Sequence, residues 1–372
     1  MRLLFHTAPP MLPTGYASQA SLIIPRLAAL GHEVAISATA CIESHQSKWR
    51  NFRIYPKTPY ADFGEDVVSG HYRDFNADLV VTFLCTWVLN PAAWRDLRTI
   101  HLTPVDCEPM SVRDYGVIVN SGGTPAAVSK FGEAQMRARG LEPLYLPHGV
   151  DTTVYRPPDD REALRKATGL DGKFVVGMNF MNNDKFRKNI PEQIRAFAAF
   201  HDTHPGSVLA LHSIAALPEG YNLPALVRHL GIERAVLFSD QYQLVTGMTG
   251  PDALAAWYGT CDVILECGNE GFGLCRLEAQ ACGTPVITGD WGTGPELNSY
   301  GYKVPGDLVY NDVHQADWHK PCTAELAAML GKAYEDRGDY ELRASVRQFA
   351  EHWDIDAIIK EHWAPVLEDI DG

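Results

Sequence analysis

One stretch constrains this chain more than any other: Cys261–Thr288, CDVILECGNEGFGLCRLEAQACGTPVIT. It opens on Val263–Leu265, an apolar run long enough for a buried strand. A polar turn follows from Cys267 to Gly273, where Gly271 and Gly273 permit tight backbone. Leu274–Cys282 has helix-forming composition and stops at Gly283, which suits the left-handed position just past a helix end. Thr284–Thr288 reads as the next strand. Strand, glycine elbow, helix and strand in so short a span predict a parallel βαβ unit, the mark of an α/β fold. Ligands of such sheets sit beyond the carboxyl ends of the strands, at the helix amino terminus.

Two carboxylates lie in this unit with seven residues between them, Glu270 in the elbow and Glu278 in the helix. The backbone N–H groups of Gly271–Leu274 and the helix dipole favour a ligand rich in negative charge or hydroxyls. A carboxylate is a poor partner for phosphate and a good acceptor for paired hydroxyls. Glu278 stands one turn from Leu274, Ala281 and Cys282, so it shares a face with apolar neighbours. Taken singly, Glu278 is a solvated helix residue and Glu270 an ordinary turn acid. As a pair inside a glycine frame, they read as two grips on one ligand.

The same pattern opens the chain. Arg2–Ala8 is mostly apolar, as in a strand buried on both faces. The loop Pro9–Tyr16, a helix from about Ala17 to Leu30, and the strand Glu33–Ala38 follow. Gly15 in that loop either relieves a turn or lets backbone N–H groups approach a diphosphate. Asp78–Leu84 and Thr99–Leu102 read as strands, and the second leads into Thr103–Pro109 with two acids and two prolines. His101 falls inside its strand, which makes Asp106 the candidate there, either beside a ligand or as a turn or helix cap. Gly116–Val119 and Ala126–Ser129 read as further strands, with a helix over Lys130–Arg139.

Farther on, a helix is expected at Arg161–Thr168 and a strand at Lys173–Met178. The loop Met181–Asn189, MNNDKFRKN, precedes a helix with Ile194, Phe197 and Phe200 at helical spacing, capped by Asn189. Lys185, Arg187 and Lys188 in that loop are either solvated charges or a phosphate site. Ser207–His212 and Val236–Phe238 read as strands around a helix at Leu223–Leu230, and Gln241 stands at the last strand's exit. Phe349, Trp353, Ile358 and Trp363 anchor the final segment.

With 372 residues the chain can bury two cores, and 46% hydrophobic with 21% charged residues is a globular composition. A net charge of −14 argues against a broad nucleic-acid surface while leaving room for one basic cleft. No apolar run reaches bilayer length, and Met1–Ala8 reads as a strand rather than a leader, so a cytoplasmic location is expected. The eight cysteines show no Cys-x-x-Cys pair or matching histidine spacing. They are expected to be reduced thiols, with no metal site.

Glu270–Ile287 resembles the Glu-x7-Glu signature of retaining, nucleotide-sugar-dependent glycosyltransferases of family 4, which have the two-domain GT-B fold. The family pattern is close to EGFGLPxLEAxACGTPVI, from which this chain departs mainly at Cys275, where proline is usual. Leu30–Val34 (LGHEV) is similar to the family's helix-to-strand junction, and Pro147–Pro157 to its interdomain linker. The resemblance implies two Rossmann-like doubly wound domains facing across a cleft. Residues 1–155 would be the acceptor-side domain, with residues 41–76 shaping that side, and residues 156–343 the nucleotide-sugar domain. Residues 344–372 would be a helical segment returning to the first. It further implies that Glu278 holds the ribose hydroxyls, and that Glu270 faces the transferred sugar with the backbone of Phe272, Gly273 and Leu274. Lys188 and Arg187 would neutralise the diphosphate together with the Gly15 loop, Asp106 would lie beside the sugar, and Gln241 could face the base. Trp291–Leu297 (WGTGPEL) is similar to the turn that completes the donor pocket.

The expected activity is sugar transfer from a nucleotide-diphosphate sugar, a co-substrate rather than a resident cofactor, to an acceptor hydroxyl. The acceptor stays open among a glycan, a lipid-linked sugar, a small metabolite and a modified nucleic-acid base. A nucleotide-sugar epimerase or hydrolase, and a non-catalytic nucleotide-sugar-binding protein, are the other readings of the same pocket.

Overall fold

Apolar strands alternating with amphipathic helices form two parallel sheets in the computed structural model, which describes residues 1–41 and 45–372. Met1–Gly149, Tyr310–Asp317 and Ile355–Gly372 make one unit, and Val150–Val309 with Trp318–Asp354 the other. The division falls after Gly149 rather than near Arg156, and the terminal piece of the first unit starts at Ile355 rather than at residue 344. Hydrogen bonds explain both positions. Val150 N–H donates to the Trp353 carbonyl at 2.9 Å within the second unit. Inside the first unit, the Trp363 indole N–H donates to the Pro147 carbonyl at 3.1 Å.

The first unit holds eight strands: β1 (Arg2–Thr7), β2 (Glu33–Ala38), β3 (Ser47–Trp49), β4 (Phe52–Tyr55), β5 (Leu79–Phe83), β6 (Thr99–Thr103), β7 (Thr124–Ala127) and β8 (Leu144–Tyr145). Their order is β3-β4-β2-β1-β5-β6-β7-β8. All neighbours run parallel except β3 against β4. The chain moves from β1 to one side and returns at β5 to the other, so β1/β5 is the switch point where such sheets bind ligands. Leu4, Ala35, Val80, Phe75 and Trp94 pack as one core cluster.

Gly116–Val119 is not a strand; it lies within a helix, Val112–Ser121. Ser111 caps that helix by accepting from Arg113 N–H at 3.2 Å, and left-handed Gly122 ends it. A short apolar run carries no period of its own, and here the flanking cap and glycine decide. Ser129 likewise leaves the strand to cap Lys130–Ala138, accepting from Gly132 N–H at 3.1 Å. Of residues 41–76, residues 42–44 lie outside those described. The others supply β3, β4 and a helix at Val68–Phe75.

The second unit holds β9 (Phe174–Asn179), β10 (Ser207–His212), β11 (Val236–Phe238), β12 (Val263–Glu266), β13 (Val286–Gly289) and β14 (Tyr302–Val304). All are parallel in the order β11-β10-β9-β12-β13-β14, with the switch point between β9 and β12. Ile194, Phe197 and Phe200, on the Ile190–Thr203 helix, pack with Val176, Leu209, Leu211 and Leu265. Each large side chain buried this way contributes roughly 1.5–3 kcal/mol. The elbow unit takes the expected form, β12, a helix at Leu274–Ala281, left-handed Gly283, then β13. A two-stranded piece, Gly306–Asn311 with Ala316–Pro321, completes the sheets.

Candidate functional site

The loops that leave β9 and β12 come together at the switch point of the second unit, because those two strands are parallel neighbours. The first loop is shaped by its own side chains. Asp184 Oδ1 accepts from Phe186 N–H at 2.6 Å and from Arg187 N–H at 2.8 Å, a turn that aspartate favours. Asn189 then adopts a left-handed conformation, φ 48°, which asparagine tolerates. It does not cap the following helix as expected. Its amide instead donates to the Cys267 and His319 carbonyls, each at 2.9 Å.

That geometry presents two cations to the second loop. Arg187 Nη1 donates to Glu270 Oε2 at 3.0 Å and to the Asn269 carbonyl at 2.8 Å, while Lys188 Nζ pairs with Glu270 Oε1. The three side chains are only 13–21% exposed. Burial by itself would raise the Glu270 carboxyl, but Arg187 and Lys188 outweigh it and hold the group well below the usual carboxylate range. Glu270 is therefore an anion at neutral pH, a poor proton donor and a strong orienting group.

Three amide side chains hold this arrangement, of which sequence singled out Asn189 alone, and that as a helix cap. Asn269 donates to the Arg187 and His319 carbonyls, at 3.1 and 2.9 Å, and accepts from His319 N–H at 2.8 Å. Gln193 donates to the Lys188 carbonyl at 2.7 Å and accepts from Cys267 N–H at 3.0 Å. With Asn189 they cross-link the cation loop, the elbow and the Ala316–Pro321 strand. Arg276, almost wholly buried, supports the elbow from the helix side. It pairs with Glu266, donates to Thr293 Oγ1 at 2.7 Å, and reaches the Gly268 carbonyl at 3.2 Å. Thr293 in turn donates to the Glu270 carbonyl at 3.1 Å, which ties the WGTGPEL turn to the site.

Gly273 precedes the helix with φ +103°, and a Cβ there would stand 3.0–3.1 Å from the Arg276 side chain. No side chain among the described residues caps the helix it introduces, which begins at Leu274. The Phe272 ring packs edge-on against Trp353, centroids 5.7 Å apart, so its side chain is structural. Glu278 accepts from the Tyr258 hydroxyl at 2.8 Å, and Tyr258 itself accepts from Asn179 at 2.7 Å. Burial pushes the Glu278 carboxyl up, while hydrogen bonds from Tyr258 and Tyr155 pull it back.

Gly15 and Asp106 belong to the first unit. Gly15 is the exposed first residue of the Gly15–Ala29 helix, whose cap Thr14 accepts from Ala17 N–H at 3.2 Å. Asp106 follows β6 and is half-buried. The helix beyond it is capped by Ser111, not by Asp106. Burial and the nearby Asp106 together push the Asp114 carboxyl up to about 7. His101 sits within β6, bonded to Thr82 and Ser121 at 2.9 Å each. Gln241 is occupied in the second unit, accepting from Ala215 N–H at 2.7 Å and donating to the Ser213 and Ser239 carbonyls.

All eight cysteines are free thiols. Burial pushes Cys275 well above the ordinary thiol range, and Glu266 and Glu270 add to this, so it is no nucleophile. Among the described residues no group of three His, Cys, Asp or Glu could hold a metal ion, and no helix is long and apolar enough to cross a membrane.

Residues 160–318, which contain the cation loop, the elbow and the WGTGPEL turn, match the family described as glycosyl transferases group 1. The D-inositol 3-phosphate glycosyltransferase of Rhodococcus erythropolis is 36% identical over 210 residues, covering 53% of this chain and 45% of that protein. The chain thus spans less than half the length of that relative. The sucrose-phosphate synthase of Thermosynechococcus elongatus shares the fold at TM-score 0.76 and 16% identity, over 99% of this chain and 100% of that one. Anabaena HepE, solved in complex with UDP and glucose, does so at 0.72 and 18%, over 99% of each chain. The fold is GT-B, and residues 160–318 are similar to group 1 glycosyl transferases.

Proposed function

We propose that this protein is a retaining hexosyltransferase that moves a sugar from a nucleotide-diphosphate sugar to an acceptor hydroxyl. The observation that carries this is the convergence of Arg187 and Lys188 on Glu270 at the carboxyl ends of β9 and β12. An uncapped helix terminus follows at once. Fixed cations and backbone dipoles are what a departing phosphate requires, and they need not reorganise as charge develops. Glu270 orients the sugar and keeps the two cations aligned. Glu278, steadied by Tyr258, accepts from the ribose hydroxyls. The bond from the anomeric carbon to phosphate breaks as the acceptor oxygen bonds to the same face. The acceptor's proton passes to the departing phosphate oxygen. In the first unit, this reading assigns the Gly15 helix terminus to phosphate and Asp106 to the sugar. Anabaena HepE was solved in complex with UDP and glucose, which supports a hexose over a pentose and UDP as a first base to try.

Incubation with a panel of nucleotide sugars, read by mass spectrometry, tests the reading. Donor consumed only with an acceptor, with the anomeric configuration kept, is the expected result. Donor lost to water or epimerised without one would replace transfer by hydrolysis or epimerisation. Lys188→Ala should lower turnover by about 10²–10³-fold, and Glu278→Ala should weaken donor binding. Unchanged values would remove those two residues from their roles.

A further inference from the structure

The two tyrosines beside Glu278 come from different parts of the second unit. Tyr258 lies in the last turn of the helix Pro251–Thr260 and is wholly buried. It donates to Glu278 Oε2 at 2.8 Å while accepting from Asn179 at 2.7 Å. Tyr155 lies on the irregular segment that opens the unit, ahead of its first helix at Arg161–Ala167. It is 8% exposed, and its ring meets that of Tyr258 edge-on with centroids 6.3 Å apart. Its hydroxyl also bonds Glu278. Burial and the nearby carboxylate push both phenols up, so each keeps its proton and donates it to Glu278.

One guanidinium fixes that geometry. Arg347, on the helix Tyr340–Glu351, donates through Nη1 to the carbonyls of Tyr155 and Ala281, each at 2.7 Å. Its Nη2 donates to the Thr152 carbonyl at 3.2 Å. Ala281 is the last residue of the helix that carries Glu278, where carbonyls lack a partner within the helix and a cation complements the dipole. Arg347 thereby ties the backbone bearing Tyr155 to the backbone bearing Glu278.

We infer that Tyr155, placed by Arg347, is a positioning residue that makes Glu278 selective for a vicinal diol. A carboxylate has about four lone-pair sites. The two tyrosine hydroxyls take a pair of them and leave a pair, one for each hydroxyl of the diol. Held by both donors, the carboxylate loses little freedom when the diol binds. The inference rests on the glycosyl-transfer reading for the assignment of that diol to the donor's ribose; the positioning follows from the hydrogen bonds.

Calorimetric titration of the full chain with UDP, GDP and ADP, each beside its 2′-deoxy counterpart, tests this. The wild type should bind one ribonucleotide about tenfold more tightly than its deoxy form, the gain of one bond to a charged group. Tyr155→Phe removes only the hydroxyl and should cut that ratio to about threefold or less. A merely structural tyrosine would weaken both nucleotides equally. Arg347→Lys, which keeps the charge and loses the fork, should lower the ratio in the same way. It carries the test if Tyr155→Phe fails to fold. A ratio lost in Glu278→Ala but kept in Tyr155→Phe and Arg347→Lys would overturn the inference alone. A wild type without ribose preference, or Glu278→Ala that retains it, would overturn the ribose role of Glu278 and the inference with it. Tyr155-dependent ribose preference in a protein that makes no product from any donor upholds the positioning and overturns the transfer reading instead.

Discussion

Glu270 shows how one side chain acquires its properties from partners distant in sequence. Alone in a loop it would be an ordinary acid; between Arg187 and Lys188 it is held ionised despite burial. Removing its charge leaves two largely buried cations facing each other. Glu270→Gln should therefore destabilise the protein by about 3 kcal/mol, read by urea denaturation, as well as lower turnover. The sequence marked Glu270, Arg187 and Lys188 as candidates, because acids in glycine elbows and cations in strand-exit loops are recognisable types. It did not mark Asn269, Gln193 or Arg276. Amides carry no compositional signal, and their partners lie up to 82 residues away.

The elbow depends on backbone geometry that few residues can adopt. Gly273→Ala would place a methyl 3.0 Å from Arg276 at φ +103°. It should cost more than about 1 kcal/mol, with a lower Tm and weaker donor binding, whereas most helix-start substitutions would do neither. Asn269 joins the cation loop to the elbow and the Ala316–Pro321 strand. Asn269→Ala should leave the fold intact but loosen residues 184–188, seen as faster amide exchange there and a higher KM for donor. Unaltered exchange would show that the loop is held by the ion pairs alone. Element type was legible wherever a period had room to repeat, as in Ile190–Thr203. It failed at Val112–Ser121, where a few apolar residues fit either period and the Ser111 cap and Gly122 decided the outcome.

Across the whole molecule, buried histidines make the first unit the acid-sensitive one. Burial lowers His6 and His148 to about 3 and His71 and His101 to about 4, all in the first unit, against His212 alone at about 4 in the second. Each is neutral when folded and titrates near 6.5 when unfolded. Below pH 6.5 the unfolded chain therefore binds protons the folded one does not. Stability falls by about 1.4 kcal/mol per pH unit per histidine until the folded pKa is reached. Asp114, raised to about 7, runs the other way between pH 7 and its unfolded value, one group against four histidines. Acidification from pH 7 to 5 should thus abolish amide protection in β1, β5 and β6 before it does so in β9 and β12. Loss in the reverse order would contradict this.

What the sequence determined by itself was local: the βαβ elbow with its two acids, the alternation that makes an α/β fold, and the identity of the charged candidates. Those features depend on spacings of a few residues, which strand and helix periods translate directly into structure. The tertiary structure alone decided which cations meet Glu270, which amides hold them, and where the two units divide. These depend on strand order and on hydrogen bonds between residues tens of positions apart, and no local period encodes them.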